Sequence, residues 1–323
     1  MRVLIWHVHG SWTTSFVAGP DQYLIPVLPD RGPDGRGRAR TWDWPPNAVE
    51  LTPEQIRDSG ADGGIDAVVL QRPADIDLLQ RWTGLRAGID VPAVYVEHNA
   101  PGGSAAGSRH PLAERSDITV VHVTAFNRLM WDCGAAPTTV VEHGIADPGH
   151  LYTGESARVA VVVNEPVRRW RVAGTDLVQQ LSREIPLEIY GMGMAALAEV
   201  LPGSAGHLHD DVPQRQMHPL LGTNRAYLHP YRWTSLGLSL IEAMTIGMPV
   251  IALPVTAAPE AVPADAGVLS SDLAVLAATA RRWIADPAEA AERGAAARRH
   301  ALAAFGLDRF LTDWQHVLKE VTG

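Results

Sequence analysis

Two series of short β-branched runs, each interleaved with helix-like stretches, constrain this chain more than any other feature. The first series is VLIW (3–6), AVVL (67–70), AVYV (93–96), ITVVHV (118–123) and TTVVE (138–142). None alternates strictly between apolar and polar residues, so each reads as a strand buried on both faces. Helix-like stretches lie between them, notably at 75–87 and 124–132. The pattern restarts with RVAVVV (158–163), a helix from about Thr175, then LEIY (187–190), AYLH (226–229) and VIAL (250–253). Strands alternating with helices imply parallel sheets joined by right-handed crossovers. ADPGHLYTGES (146–156) separates the series and reads as a linker. The expected architecture is therefore α/β, with two doubly wound, Rossmann-like domains facing across a cleft. We place an N-terminal domain at 1–147 and a C-terminal domain at 157–305. A final helix at 306–323, with Phe310, Leu311, Trp314 and Leu318 at helical spacing, is expected to pack back on the N-terminal domain.

Bulk chemistry narrows the function classes. A net charge of -9 argues against a general nucleic-acid or membrane-surface binder, which would need cationic patches. One cysteine, Cys133, excludes an intramolecular disulfide and fits a reducing compartment. No apolar run reaches the ~20 residues needed to span a bilayer. MRVLIWHVHGSW at the start is too brief for a signal peptide, so a cytoplasmic location is expected. Lys319 is the only lysine, so any cation site must be built from arginine. The Gly/Pro/Arg-rich segment 29–50 is too long for an ordinary connection. It reads equally as a functional loop or as a mobile surface loop.

Candidate chemistry concentrates at strand ends. Between Trp233 and Pro259 the only charged residue is Glu242, in AYLHPYRWTSLGLSLIEAMTIGMPVIAL, which reads strand, turn, helix, turn, strand. A carboxylate in such surroundings is costly unless hydrogen-bonded. Thr234 or Ser235 is expected to cap the helix, Gly237 to admit close backbone approach, and Gly247 to end it before Pro249. Amides at that helix start form an anion site. Ser235, Ser239 and Glu242 fall at spacings of four and three, on one helical face. Glu242 then lies roughly 10 Å along the axis from Ser235. One reading places phosphates at the helix start and a sugar hydroxyl pair at Glu242, whose carboxylate is solvated or water-bonded in the free protein. The other is a capped core helix in which Glu242 bonds backbone. Arg168, Arg169 and Arg171 in VVVNEPVRRWRVAGTDLV read either as a phosphate clamp or as a solvated basic loop. In VPAVYVEHNAPGG, Glu97, His98 and Asn99 end a parallel strand, where α/β proteins place ligands. A structural role for His98 is the competing reading. Trp12, Trp42 and Trp44 offer stacking surfaces for a sugar or pack locally. His7 with His9, and His207 with His209, lack the ligand clustering of a zinc site and read as surface or network residues.

These motifs carry a resemblance. WTSLGLSLIEAMTIGMPVIA resembles the signature of the retaining GT-B glycosyltransferase family typified by sucrose synthases and bacterial mannosyltransferases, the glycosyl transferases group 1. The signature runs Glu, seven residues, Glu. Glu242 matches the second Glu, which by the resemblance holds the donor ribose hydroxyls. Gly237 and Leu238 match the residues whose amides contact the donor phosphate, with Ser235 beside them. The first Glu falls at position 234, where this chain has Thr234. The resemblance places a carboxylate there, near the transferring sugar, and threonine supplies no charge; Glu97 is a candidate for the missing charge.

The likeness extends along the chain. By it, Arg168, Arg169 or Arg171 clamps the diphosphate, with Gly174 and Asp176 matching the following Gly and Asp. LEIYGMG (187–193), through Gly191, resembles the turn lining the base pocket. Gly10 resembles the flexible loop that approaches the donor phosphate, and His98 the histidine facing the donor sugar. VVEHGIADPG (140–149) resembles the end of the N-terminal domain, with His143 in place of Asn. APEAVPADAGVL (258–269) matches the segment after the signature through Glu260 and Gly267. The resemblance implies a hexosyltransferase-like enzyme moving a sugar from a nucleotide-diphosphate sugar to an unknown acceptor, with retention. The acceptor classes are a sugar, a lipid-linked glycan or a small metabolite; no metal, cofactor or nucleic acid is expected, nor an integral membrane segment. Thr234 keeps an alternative open, a non-catalytic nucleotide-sugar-binding GT-B homologue acting as a partner subunit. A nucleotide-sugar hydrolase or epimerase is a third reading, but the chain lacks the carboxylate pair that glycosidic chemistry often uses.

Overall fold

The computed structural model describes residues 1–323 and forms two compact units, Met1–Gly144 with Leu307–Gly323, and Ile145–Gly306. The first unit runs β1 (Arg2–Ile5), α1 (Gly10–Phe16), β2 (Gln22–Pro26), β3 (Ala48–Leu51), α2 (Pro53–Ala61), β4 (Ala67–Leu70) and α3 (Pro73–Thr83). It continues with β5 (Ala93–Glu97), β6 (Thr119–His122), α4 (Ala125–Met130) and β7 (Thr138–Val140). The sheet is parallel throughout, in the order β3-β2-β1-β4-β5-β6-β7. The chain winds outward from β1 to β3, then returns to β4 on the other side of β1. The carboxyl ends of β1 and β4 therefore flank the reversal, the place where a doubly wound sheet opens a crevice for ligands. All of β4 and β5 is buried, which explains runs without polar alternation.

The segment 29–50 is folded on itself. Arg38 donates to Trp44 O (2.5 Å), Pro45 O (3.0 Å) and Ala48 O, and Arg31 pairs with Glu50 at 2.8 and 3.1 Å.

The second unit runs β8 (Ser156–Val162), α5 (Pro166–Ala173), α6 (Thr175–Leu181), β9 (Leu187–Gly191), α7 (Met194–Val200), β10 (Leu208–Asp210) and α8 (Gln214–Thr223). Then come β11 (Asn224–His229), α9 (Leu238–Ile246), β12 (Val250–Ala252), α10 (Ala258–Ala261), β13 (Gly267–Leu269), α11 (Leu273–Ala285) and α12 (Pro287–Ala304). Its parallel sheet is ordered β10-β9-β8-β11-β12-β13, so the reversal falls between β8 and β11. In α9 every residue from Leu240 to Ile246 is buried. A helix without a wet face has no use for exposed charge, which accounts for the charge-free signature. The Ala-rich α12 packs on α9, and at Gly294 a Cβ would lie 2.0 Å from Gly247 O, so a small residue there lets the backbones approach.

The last helix, α13 (Leu307–Thr322), belongs to the first unit. It buries Phe310 and Trp314 edge-on to Trp12, at 6.0 and 5.5 Å, and Trp314 also meets Phe16 at 5.1 Å. Arg309 fixes it by donating to Glu142 O (3.1 Å) and His143 O (2.6 Å).

Candidate functional site

In the second unit the chain leaving β8 and the chain leaving β11 meet at the reversal. Gly174, at the start of α6, has φ 73°, and a Cβ there would lie 2.0 Å from Pro230 O. Only glycine allows the loop after β11 to rest on this turn. The three arginines lie on α5, which ends at this turn, and their partners differ. Arg168 forks onto Glu165, with one contact at 3.0 Å, and Arg171 reaches Asp176 at 3.2 Å; both side chains are about 70% exposed. Asp176 is also gripped by Arg232 at 2.5 and 2.8 Å, which holds its carboxyl below the usual range. Arg169 instead lies over the ring of Tyr231, its Cζ 5.3 Å from the centroid. An aromatic face orients a guanidinium without neutralising it. Burial pushes the Tyr231 hydroxyl up while Arg169 pulls it down, and that oxygen accepts from Asn164 N at 3.4 Å.

The start of α9 differs from the expected cap. Gly237 is the N-cap and no side chain caps the helix. Thr234, half-buried, and Ser235, fully buried, precede the helix in the loop, so Ser235 does not share a helical face with Ser239 and Glu242. Ser235 O accepts from Ala257 N at 3.3 Å, which ties the residue to the next loop, and its Oγ is buried without a partner. Gly237 sits on the His229 imidazole, where a Cβ would lie 2.4 Å from the ring. Below lies a neutral polar column: Tyr227 donates to Ser239 Oγ (2.9 Å) and its oxygen lies 3.4 Å from His229 Nδ1. His229 stacks on Tyr231 at 4.9 Å, and burial drives its pKa down to about 3. The helix start, with Leu238 as its first residue, thus rests on uncharged groups beside Arg169 and Tyr231, a setting suited to an anion.

Glu242 is buried, 5% exposed, so of the two expected settings, solvated or water-bonded, open solvation does not hold. Gln214 Nε2 donates to its Oε1 at 2.8 Å, and His218 Nε2 stands 3.6 Å from Oε2. Gln214 and His218 are four residues apart and share a face of α8. At the end of β9, Gly191 leads into a turn tied to the β8 loop: Met192 N donates to Asn164 Oδ1 (3.0 Å) and Glu165 N to Met192 O (2.8 Å). The amides of Gly193 and Met194 are taken by Asp210 Oδ1, at 2.8 and 3.0 Å. His207 and His209 converge on Glu188, at 3.0 and 2.5 Å, together with Arg158 at 2.7 Å.

In the first unit Glu97 and His98 end β5. Glu97 is buried and locally engaged: Oε1 accepts from Asn99 N at 2.7 Å and Oε2 from His110 Nε2 at 3.2 Å. His98 Nε2 faces Gln71 Oε1 at 2.9 Å, and its ring packs against His9 (4.1 Å) and the edge of Trp12 (4.9 Å). Burial lowers the pKa of His9 to about 4 and holds His98 well below its usual value, so both rings are neutral at pH 7. Gly10 begins α1 beneath the Trp42 ring, which stands 2.7 Å from the position of a Cβ. Of the three tryptophans considered for sugar stacking, Trp12 is buried in the aromatic core. Trp44 is buried too, donating to Thr14 Oγ1 at 2.8 Å, and Trp42 covers Gly10. His7 Nδ1 binds Gly37 O at 3.0 Å.

Sequence reasoning passed over His229 and Tyr231, although LHPY ends a strand just as YVEH does. It also passed over Gln214 and His218. Their spacing of four was legible, but Pro219 inside α8 masked the helix.

Residues 169–286 match the family model of the glycosyl transferases group 1. That span holds Arg169, Arg171, Gly174, Gly191, Ser235, Gly237, Leu238 and Glu242, and Arg168 falls just outside it. No curated protein matches the chain. Solved structures share the fold. Sucrose-phosphate synthase from Thermosynechococcus elongatus is 14% identical with a TM-score of 0.71, over 99% of this chain and 98% of that one. Anabaena Alr3699/HepE in complex with UDP is 13% identical with a TM-score of 0.69, over 99% and 100% of the two chains; HepE is also solved with UDP-glucose. A glycosyltransferase from Rickettsia africae is 13% identical with a TM-score of 0.65, over 99% and 98%. The fold is GT-B, with two parallel-sheet α/β units.

Proposed function

We propose that this chain is a glycosyltransferase that takes a nucleotide-diphosphate sugar as donor, with the nucleotide on the second unit. One observation carries the reading. The reversal between β8 and β11 brings an arginine held by an aromatic face, a glycine-started helix and a buried carboxylate onto one matched family segment. In this reading Arg169 and the first amides of α9, those of Gly237 and Leu238, take the diphosphate, and Glu242 takes the ribose. Charge develops on the diphosphate as the sugar leaves. A guanidinium and helix amides already aimed there stabilise it without reorganising, which is the largest contribution such a site makes. His98 orients the sugar as a neutral ring, and retention of configuration follows the resemblance. The solved complexes of HepE with UDP and UDP-glucose support UDP-sugars as the first donors to try.

The second reading, a nucleotide-sugar-binding partner subunit without turnover, is favoured by a specific observation. Position 234 carries no charge, and Glu97, the candidate substitute, is already bonded to His110 and Asn99.

Thermal denaturation with UDP-, GDP-, ADP- and dTDP-sugars tests the shared premise. A ligand at a hundredfold excess over its Kd adds about 2.7 kcal/mol of stability, so one of the four is expected to raise Tm by several degrees. No rise with any of them overturns both readings. Acceptor-dependent release of nucleotide then separates transferase from subunit. In the transferase reading Thr234→Glu creates no activity that the parent lacks. An inert parent made active by that change supports the subunit reading.

A further inference from the structure

We propose that Gln71 is a positioning residue that fixes His98 as the tautomer protonated on Nε2 and so presents Nδ1 as a hydrogen-bond acceptor. What Nδ1 then meets, a hydroxyl of the donor sugar, rests on the transferase reading; the tautomer rests on geometry alone.

Gln71 follows β4 directly, and the neighbours of β4 in the sheet are β1 and β5. Its backbone is pinned by Asp75, fully buried, whose Oδ2 accepts from Gln71 N (2.9 Å) and Arg72 N (3.0 Å). Asp75 Oδ1 is held in turn by Arg72 Nε and Nη2, at 2.9 and 2.6 Å. From that fixed turn the side-chain amide bridges both neighbouring strand ends. Nε2 donates to Trp6 O at 2.6 Å, just beyond β1, and Oε1 lies 2.9 Å from His98 Nε2, just beyond β5. A backbone carbonyl can only accept, so the amide nitrogen must face Trp6. The atom facing His98 is then oxygen, which cannot donate, and His98 Nε2 must carry the hydrogen. In a neutral ring the lone pair is left on Nδ1. Burial of His98 against His9 disfavours the doubly protonated form, so the acceptor is preserved. The bridge stands at the reversal of the sheet, where a doubly wound unit receives its ligand.

Histidine-selective ¹⁵N labelling of the full chain, read by two-bond ¹⁵N–¹H correlation and assigned with His98→Asn, reports the tautomer. The parent is expected to show His98 protonated on Nε2, and Gln71→Leu to show both tautomers. With UDP-glucose, or whichever of the four donors the thermal screen selects, Gln71→Leu is expected to lower kcat by about a hundredfold, the scale of a misplaced reacting group. Its KM and the affinity for the nucleoside diphosphate alone should stay near the parent, because a merely structural lesion would move these too. A parent protonated on Nδ1, or a Gln71→Leu variant with unchanged tautomer and kcat, overturns the proposal. Gln71→Met preserves volume if Gln71→Leu misfolds, and the parent spectrum decides the tautomer in either case. If no donor binds the parent, the transferase reading fails by itself, while the spectrum still rules for or against the Nε2 assignment.

Discussion

Arg169→Ala is expected to weaken binding of the nucleoside diphosphate by about 10- to 100-fold, the scale of a charge-assisted hydrogen bond worth about 1.5–3 kcal/mol. Arg168→Ala and Arg171→Ala are expected to stay within about twofold of the parent, as solvated ion pairs do. The three residues are nearly equivalent in sequence, and their partners separate them. A phosphate approaching Arg168 or Arg171 must compete with Glu165 or Asp176 already in place. A phosphate approaching Arg169 meets a guanidinium that lies over the Tyr231 ring, with Glu165 near enough to feel its charge but paired with Arg168 instead. Arg169→Lys keeps the charge but loses the fork and the stacking, so an intermediate affinity is expected. Titration calorimetry with the selected nucleotide measures all four, and Tm of each variant controls for the fold. A large loss in Arg168→Ala or Arg171→Ala instead, or no loss in any, removes the diphosphate assignment.

Strands buried on both faces were the legible part of the fold. Val3 to Ile5, Ala67 to Leu70 and Val159 to Val162 announce themselves because nothing polar interrupts them. Strands β2 and β3 did not, since QYLIP ends on a proline and AVEL carries a glutamate on a partly wet edge. The three-residue strands β10 (LHD) and β13 (GVL) carry no run of β-branched residues to mark them, whereas the equally short β7 and β12 do. The candidate site followed the same division. Helix α9 was visible as an apolar run between two glycines. Its cap was not, because Ser235 is a good capping residue by type but its carbonyl and burial hold it in the loop, and Gly237 alone fits against His229. The isolation of Glu242 was plain in the sequence. Its partners lie 28 and 24 residues earlier, and only the packing of α8 on α9 delivers them.

Those partners sharpen what Glu242 is expected to do. A 2'-deoxy nucleoside diphosphate should bind the parent about 10-fold or more weaker than the ribonucleotide, and most of that penalty should vanish in Glu242→Gln. Gln214 occupies one of the roughly four acceptor positions of the carboxylate. A ribose hydroxyl pair asks for two, and burial makes each bond stronger than it would be in water. In Glu242→Gln the amide keeps one oxygen, which Gln214 can still reach, so the side chain loses the acceptor the second hydroxyl needs. The loss of charge also weakens the Gln214 bond, so a lower Tm is expected whatever Glu242 does, and Tm alone decides nothing. The coupling between the 2'-hydroxyl and residue 242 does decide, because groups that touch fail to add in a double-mutant cycle while distant groups add. Gln214→Ala supplies the complementary arm. It frees Glu242 to move, so it should lower Tm and reduce the deoxy penalty only in part. If the penalty is the same in parent, Glu242→Gln and Gln214→Ala, then Gln214, His218 and Glu242 form a core network that joins α8 to α9, and the ribose is held elsewhere.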